Sequence, residues 1–130
     1  GTHVPLIVSW PGTVKEGTVS HDLVDFSDWL PTLAELAGAK LDPQRPLDGR
    51  SFAGSFMNMQ SPRRTFAFSE SRGKQAFVRD QRWKLYANGK FHDLEKDLGE
   101  KKAITGDPED KDARSAKARL AQALENLNFK

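Results

Sequence analysis

Few residues of this sequence have side chains that could take part in chemistry. The candidates are His3 at the start of the chain and Glu70, Arg72 and Lys74 in a polar loop. An imidazole can transfer a proton, and neighbouring cations can bind an anion. His21 and His92 have no partner at metal-ligand spacing, and the absence of cysteine excludes a disulfide, a thiolate metal site and a cysteine nucleophile within this stretch. The sequence therefore predicts no metal site and no complete catalytic set of its own.

The charge balance narrows the class of protein. The chain has 20 basic and 18 acidic residues and a net charge of +2, so no field of a single sign is expected and nucleic-acid binding gains little support. No apolar run approaches the roughly 18–20 residues that a membrane span needs. At 130 residues with 37% hydrophobic content, the chain could form one domain, and it also fits a piece that leans on a larger neighbour.

The first apolar segment predicts a buried strand over 4–10. Residues 6–8, Leu-Ile-Val, follow one another without polar alternation, which is typical of a central strand covered on both faces. The pair Pro11-Gly12 supplies turn residues that end it. No partner strand follows nearby, so we expect this strand to belong to a larger sheet.

A helix is predicted over 27–37, because apolar residues recur at helical spacing from Leu30 onwards. Ser27 or Asp28 can cap its start, and Gly38 can end it. The apolar face of this helix, like residues 6–10, is expected to be exposed in the absence of a larger neighbour.

A long connection over 40–64 divides the chain, and it is interrupted by several prolines. Connections of this length are uncommon inside one compact domain and suggest a crossing between subdomains. We therefore predict two parts: 1–64 as the tail end of a larger domain, and 65–130 as a small antiparallel sheet with a helix.

From residue 65 the apolar pattern changes to a period of two, which predicts four antiparallel strands. Asn88-Gly89 is the strongest turn signal and favours a two-residue hairpin turn. Such a turn would pair Leu85 with His92, and a second turn at Asp80-Gln81 would pair Val78 with Trp83. The two registers agree on one apolar face, made of Ala76, Val78, Trp83, Leu85 and Leu94, and on a cross-strand charge pair between Lys84 and Asp93.

Asp107-Pro108 predicts the start of a final helix. Its apolar stripe consists of Ala113, Ala116, Leu120, Leu124 and Leu127. That stripe should cover the apolar face of the sheet. The fold class expected from these elements is α+β: one core strand and a helix, then a four-stranded antiparallel sheet covered by a C-terminal helix.

An ordered series of segments resembles the sulfatase family. The segments are GTHVPLIVSWPG at 1–12, the Asp-x-x-Pro-Thr-Leu core of the helix, Leu47-Asp48-Gly49, the hairpin residues 78–85, and the closing series His92-Asp93-Leu94 and Asp97-x-Gly99-Glu100. His3 stands where the family usually has arginine, Gln81 where it has a turn glycine, His92 where it has tyrosine, and Leu98 where it has proline.

The resemblance implies the C-terminal segment of an alkaline-phosphatase-like α/β fold in an enzyme that hydrolyses sulfuric esters. Such an enzyme uses a formylglycine made from Cys or Ser in a Cys/Ser-x-Pro-x-Arg motif, and a divalent cation, normally calcium. Neither that motif nor the acidic ligand cluster is present in this sequence, since Gln60-Ser61-Pro62-Arg63 has the wrong spacing. The chain alone is therefore expected to be inactive, with the N-terminal catalytic domain as its partner. A periplasmic or secreted parent protein is suggested by the resemblance alone.

The resemblance also indicates which residues would lie near substrate. His3 would enter next to the sulfate pocket, and Glu70, Arg72 and Lys74 would belong to a loop beside the organic part of the ester. A structural role for His3 and a solvent-exposed hairpin loop at 70–74 are the alternatives.

A non-catalytic module for acidic or sulfated glycans is the second interpretation. It would use a set of basic residues, namely Arg63, Arg64, Arg72, Lys74, Arg79 and Arg82. Because acidic residues nearly balance them, such binding should be weak and sensitive to salt. Self-association over exposed apolar surface is a further expectation for the chain by itself.

Overall fold

The fold was analysed in a computed structural model that describes residues 4–57, 64–70 and 76–127. The chain divides into two compact units, Gly1–Arg64 and Thr65–Lys130. Each unit is described separately below. No helix among the described residues is long and apolar enough to cross a membrane.

The described residues of the first unit form one α-helix, α1, over Trp29–Leu36, preceded by a 3-10 turn over Phe26–Asp28. The predicted helix is confirmed, and its N-cap position is Asp28, although the Asp28 side chain makes no capping hydrogen bond to α1. Asp25 caps the preceding 3-10 turn, where its side chain accepts from the backbone N–H of Ser27 at 2.9 Å. Gly38 ends the helix as predicted, with a φ of 64° that few other residues adopt without strain. A second 3-10 turn, over Ala53–Ser55, lies in the connection that follows.

Residues 4–10 do not form the predicted strand. They have no regular secondary structure, and Val4 and Ile7 are 72% and 87% exposed. A strand is stabilised by hydrogen bonds to a neighbouring strand, and the described residues of the first unit contain no other strand. The apolar run thus has the composition of a buried strand without a partner to pair with in this unit.

The second unit confirms the predicted sheet and helix. Its strands are β1 (Ala67–Ser69), β2 (Phe77–Arg79), β3 (Trp83–Tyr86) and β4 (Phe91–Asp93). Neighbouring strands are antiparallel in the order β1-β2-β3-β4. The helix α2 spans Lys111–Asn126.

Both predicted hairpin registers are wrong. Val78 pairs with Leu85 rather than with Trp83, a shift of two residues that keeps the same face towards the core. Leu85 pairs with Phe91 rather than with His92. This shift of one residue arises because Gly89, with a φ of 86°, lies in a three-residue loop instead of a two-residue turn.

The shift of one residue reverses the two faces of β4. Phe91 takes the core position, and His92 lies opposite Lys84 on the other face. The predicted pair between Lys84 and Asp93 is therefore not formed.

The core lies between α2 and one face of the sheet. The buried side chains that form it are Val78, Trp83, Leu85, Phe91, Ala113, Ala116, Leu120 and Ala123. Trp83 and Phe91 stack with ring centroids 5.1 Å apart. The helix begins after Asp110, whose side chain caps it, so the predicted start at Asp107-Pro108 is three residues too early.

Candidate functional site

The structure does not assemble a site from the residues predicted to lie near substrate. His3, Arg72 and Lys74 fall outside the described residues, and Glu70 is exposed next to the end of β1. Within residues 4–57, 64–70 and 76–127, no cluster of three or more His, Cys, Asp or Glu could hold a metal ion. Among the described residues, buried polar side chains form two clusters, one in each unit.

The cluster of the first unit is centred on Asp28, which is only 1% exposed. Its carboxylate accepts hydrogen bonds from the backbone N–H groups of Asp25 at 2.8 Å and Arg50 at 2.7 Å. Arg64 donates to both carboxylate oxygens, with its Nε 2.9 Å from Oδ2. We call Asp28, Thr32, Gly49, Arg50 and Arg64 the Asp28 clip, because they hold the 48–53 segment against α1.

Thr32, one turn further along α1, completes the clip. Its hydroxyl donates to the Asp28 carbonyl at 2.6 Å and accepts from the backbone N–H of Phe52 at 3.0 Å. The aromatic ring of Phe52 packs edge-on against the ring of Trp29, with the ring centroids 5.3 Å apart. The polar face of α1 is thus buried, whereas Leu30 and Leu33 on the apolar face are exposed.

Gly49 is required where the 48–53 segment passes α1. A Cβ at this position would lie 1.9 Å from the carbonyl oxygen of Ser27, which is far closer than atoms can approach. The Leu-Asp-Gly segment therefore supplies the backbone that passes close to α1. The Asp-x-x-Pro-Thr helix supplies the side chains that bind this backbone.

We expect Gly49→Ala to destabilise the first unit by about 1–3 kcal/mol, the usual cost of overpacking, because backbone must move to admit the methyl group. Gly99→Ala is the matched control, since a Cβ there would lie 3.6 Å from its nearest neighbour. Urea unfolding monitored through the amides of Arg50 and Phe52 measures the difference. Equal midpoints for the two variants would contradict the steric argument.

The electrostatics of the clip favour its ionised form. Burial alone would raise the pKa of Asp28, but the hydrogen bonds from Arg64 and from two backbone N–H groups hold it below its usual value. The same hydrogen bond to Asp28 raises the pKa of Arg64. The Asp28 carboxylate and the Arg64 guanidinium bind each other within the protein, so their chemistry is that of a structural ion pair.

The second cluster, the Lys84 cluster, consists of Phe77, Lys84, Tyr86, His92 and Glu100. Lys84 is 5% exposed, and its ammonium lies 2.6 Å from Oε1 of Glu100. The ammonium also lies 3.9 Å from the centroid of the Phe77 ring, a favourable cation–π distance. The Tyr86 hydroxyl donates to the other Glu100 oxygen at 2.6 Å.

Hydrogen bonds within the Lys84 cluster stabilise its charged groups. Burial would raise the pKa of Glu100, but hydrogen bonds from Lys84 and Tyr86 lower it below its usual value. Burial, together with the hydrogen bond to Glu100, raises the pKa of Tyr86. Glu100 therefore stays ionised and binds two polar side chains of β3, Lys84 and Tyr86, on the face of the sheet opposite α2.

The lowered pKa values of three carboxylates predict that the folded chain loses stability in acid. The pKa values of Asp28, Asp93 and Glu100 are all lowered by folding. Their contribution to the stability of the folded state is therefore complete at pH values above their ordinary pKa values near 4. It is lost as the pH falls through their lower pKa values in the folded state. We expect the urea midpoint to fall from pH 5 to pH 3, and to fall less in Glu100→Gln. A midpoint that is constant over this range would contradict the prediction.

The second interpretation, glycan binding, depends on a set of basic residues. Those that the structure describes already bind acceptors within the protein. Arg64 belongs to the Asp28 clip, and Arg79 donates to the carbonyls of Asp80 and Gln81. Arg82 pairs with Asp93 at 2.8 Å. Glycan binding stays a prediction, with fewer available cations than the sequence suggests.

The sequence signals for the Asp28 clip were visible, but their role was not. The Asp-x-x-Pro-Thr segment and the Leu-Asp-Gly segment are both recognisable in the sequence, but no spacing connects them with Arg64, which lies 36 positions from its partner Asp28. The Lys84 cluster had no spacing signal, because its contacts depend on the register of β3 and β4.

The described residues thus form a helix held by the Asp28 clip in one unit and a sheet covered by a helix in the other. The sequence over residues 1–130 matches the family described as N-sulphoglucosamine sulphohydrolase, C-terminal. The chain belongs to this family, and it is a C-terminal portion of a sulfatase-family protein.

Individual relatives agree with this assignment. The chain is 38% identical over 100 residues to arylsulfatase A of Bos taurus, covering 71% of this chain and 19% of the relative. It is 40% identical over 52 residues to an ulvan-active sulfatase of Formosa agariphila, covering 40% of this chain and 10% of the relative. It is 42% identical over 50 residues to steryl-sulfatase of Mus musculus, covering 38% of this chain and 8% of the relative. The chain thus spans a fifth or less of the length of these relatives.

Proposed function

We propose that this chain is the C-terminal part of a sulfuric ester hydrolase, where it completes the core of the enzyme and borders its substrate cleft. The observation that carries the proposal is the family match over all 130 residues. The relatives with the printed names arylsulfatase A, steryl-sulfatase and ulvan-active sulfatase support the reaction class. The ester itself is left open, because these names refer to different substrates.

The distribution of exposed apolar side chains supports the part of the proposal that concerns the core. Among the described residues, thirteen large apolar side chains are exposed, and eleven of them lie between Val4 and Leu47. The second unit, by contrast, buries its apolar residues between α2 and the sheet. Exposed apolar surface of this kind marks a contact with another surface, and in this proposal that surface belongs to the N-terminal catalytic domain.

The cofactors of the proposed enzyme do not fit the residues of this chain. A formylglycine is made from the Cys or Ser of a Cys/Ser-x-Pro-x-Arg motif, and the sequence contains no such motif. Calcium needs a cluster of oxygen ligands, and the described residues provide no group of three acidic or histidine side chains. In the proposal, both therefore belong to the N-terminal domain, and this chain contributes no step through them.

The residues of this chain that would approach substrate are His3 and the polar loop with Glu70, Arg72 and Lys74. In the proposed enzyme they would bind or orient the ester beside the nucleophile. The chain alone would be inactive, because it supplies neither the nucleophile nor the metal ligands.

The test is the sequence of the native gene product upstream of Gly1, with its intact mass, followed by an assay of sulfate release from an aryl sulfate. We expect an upstream domain with Cys/Ser-x-Pro-x-Arg, hydrolysis by the long protein that a calcium chelator reduces, and none by the 130-residue chain. A mature protein that starts near Gly1, or an upstream region without the motif, would overturn the proposal.

A further inference from the structure

The loop between β3 and β4 carries the only asparagine of the sequence that is followed by glycine, Asn88. Both Asn88 and Gly89 are exposed. Gly89 has a φ of 86°, and a Cβ built on it would meet no described atom within 4 Å outside its chain neighbours. The peptide nitrogen of Gly89 therefore has neither a side chain of its own residue nor a packed neighbour to hinder its approach to the Asn88 side chain.

This pair of residues can react without any cofactor. The backbone nitrogen of Gly89 attacks Cγ of Asn88, and a five-membered succinimide ring closes. The bond from Cγ to Nδ2 breaks, and Nδ2 leaves as ammonia with the proton of the Gly89 N–H. Water then opens the ring at either carbonyl, which leaves aspartate or isoaspartate at this position. In isoaspartate the main chain runs through the side chain and is one methylene longer.

The native loop holds both reacting groups by one hydrogen bond each. The Lys90 N–H donates to Oδ1 of Asn88 at 3.1 Å, which draws electrons from Cγ and stabilises the charge that develops on this oxygen. The Gly89 N–H donates to the Tyr86 carbonyl at 2.9 Å, and this bond must break before the nitrogen attacks. The Tyr86 N–H also donates to the Lys90 carbonyl at 2.9 Å. That bond encloses the loop, so the loop can open while the two strands stay paired.

A second pair of the same kind, Asp48-Gly49, is held differently. Aspartate followed by glycine closes the same ring with loss of water. At Gly49, however, the backbone packs so closely on Ser27 that a Cβ would lie 1.9 Å from its carbonyl oxygen. The next N–H, of Arg50, donates to the buried Asp28 carboxylate at 2.7 Å. Because the Asp28 clip fixes this backbone, we expect Asp48 to stay unreacted in the folded chain.

We propose that Asn88 is a site of spontaneous deamidation in this chain, and that its conversion to isoaspartate loosens the hairpin of β3 and β4. The loop has only three residues, and its length sets the register that places the fully buried Phe91 in the core. An extra methylene in so short a loop no longer fits this register. The hydrogen bonds at Gly89 and Lys90 are lost with it, so the folded second unit becomes less stable.

The experiment is incubation of the folded 130-residue chain at mildly alkaline pH, followed by tryptic digestion and mass spectrometry. We expect the peptide 85–90 to gain about one dalton, because an oxygen replaces an NH group, and fragmentation should locate isoaspartate at Asn88. Asn126 is the matched internal control, since it is also exposed but is followed by leucine at the end of α2. No gain at Asn88, an equal gain at Asn126, or isoaspartate at Asp48 to the same extent would overturn the proposal.

The effect on the hairpin is measured on the same sample. Deamidation adds a negative charge, so ion exchange separates the converted chain from the unconverted one. We expect the thermal midpoint of the converted chain, followed through the NMR signals of β3 and β4, to be lower by about 4–8 °C. Asn88→Gln keeps an amide but closes the corresponding ring far more slowly, so its midpoint should not change during the same incubation. A converted chain with the midpoint of the unconverted one would overturn the structural part of the proposal. No substrate is involved, so the outcome is independent of the proposed enzymatic function.

Discussion

Asp28→Ala is expected to unfold the first unit while the second unit stays folded. The substitution leaves the Arg64 guanidinium, 12% exposed, without its carboxylate, and it also removes the acceptor for the backbone N–H groups of Asp25 and Arg50. Breaking a buried ion pair from one side costs about 3–5 kcal/mol. That loss is a large fraction of the stability of any small domain.

Hydrogen exchange by NMR separates the two units in this experiment. The amides of Arg50 and Phe52 should lose protection in Asp28→Ala, whereas those of β3 should keep it. Asp42→Ala is the matched control, since the Asp42–Arg45 pair spans 3.7 Å and both side chains are largely exposed. Such surface pairs contribute at most about 1 kcal/mol. Protection of Arg50 and Phe52 that survives in Asp28→Ala would show that the clip does not hold the 48–53 segment.

The sequence predicted the elements of the second unit better than their register. Alternating apolar residues identified all four strands, and apolar residues at helical spacing identified the final helix, because both patterns depend on local sequence. The position of β4 depends on one turn, and Asn88-Gly89 fits both a two-residue turn and the three-residue loop that forms. With a side-chain period of two, that single residue decided whether Phe91 or His92 faces the core.

Contacts between residues that are distant in the sequence also explain which parts of the Asp28 clip and of the first unit the sequence analysis did not predict. Asp28, Thr32 and Gly49 lie in segments that the sequence analysis singled out, but an ion pair with a residue 36 positions away has no signature in spacing. The strand predicted over 4–10 fails for a related reason: its apolar composition reports a preference for burial, and a strand also needs a neighbour to pair with. His3, Arg72 and Lys74 stay predictions, since they lie outside the described residues.

The two polar clusters and the apolar exposure have a common interpretation in the proposed enzyme. The clip buries the polar face of α1 within the first unit, so the exposed face with Leu30 and Leu33 is the one available to a larger domain. The second unit has its own core and needs no such contact for its apolar residues. A unit with its own core can present loops at a cleft without relying on the neighbour for its stability.

Leu120→Ala is expected to destabilise the second unit by about 2–5 kcal/mol, the range for removing a buried leucine side chain. Leu120 is 0% exposed and belongs to the cluster in which α2 packs against Val78, Trp83 and Phe91. The Trp83 and Phe91 rings are stacked on each other, and we expect this close packing to prevent them from filling the space left behind. The loss should therefore lie in the upper part of that range.

The matched control is Leu127→Ala, the same chemical change directly after the end of the same helix, where the side chain is 41% exposed. We expect that variant to differ from wild type by no more than about 0.5 kcal/mol. Urea unfolding followed through the near-ultraviolet circular dichroism of Trp83, with Trp10 and Trp29 replaced by phenylalanine in every variant, isolates the second unit. A Leu120→Ala midpoint that matches the Leu127→Ala midpoint would mean that the contact between α2 and the sheet is not what holds this unit together. The stability of the second unit would then have to come mainly from the opposite face of the sheet, where Lys84, Tyr86 and Glu100 meet.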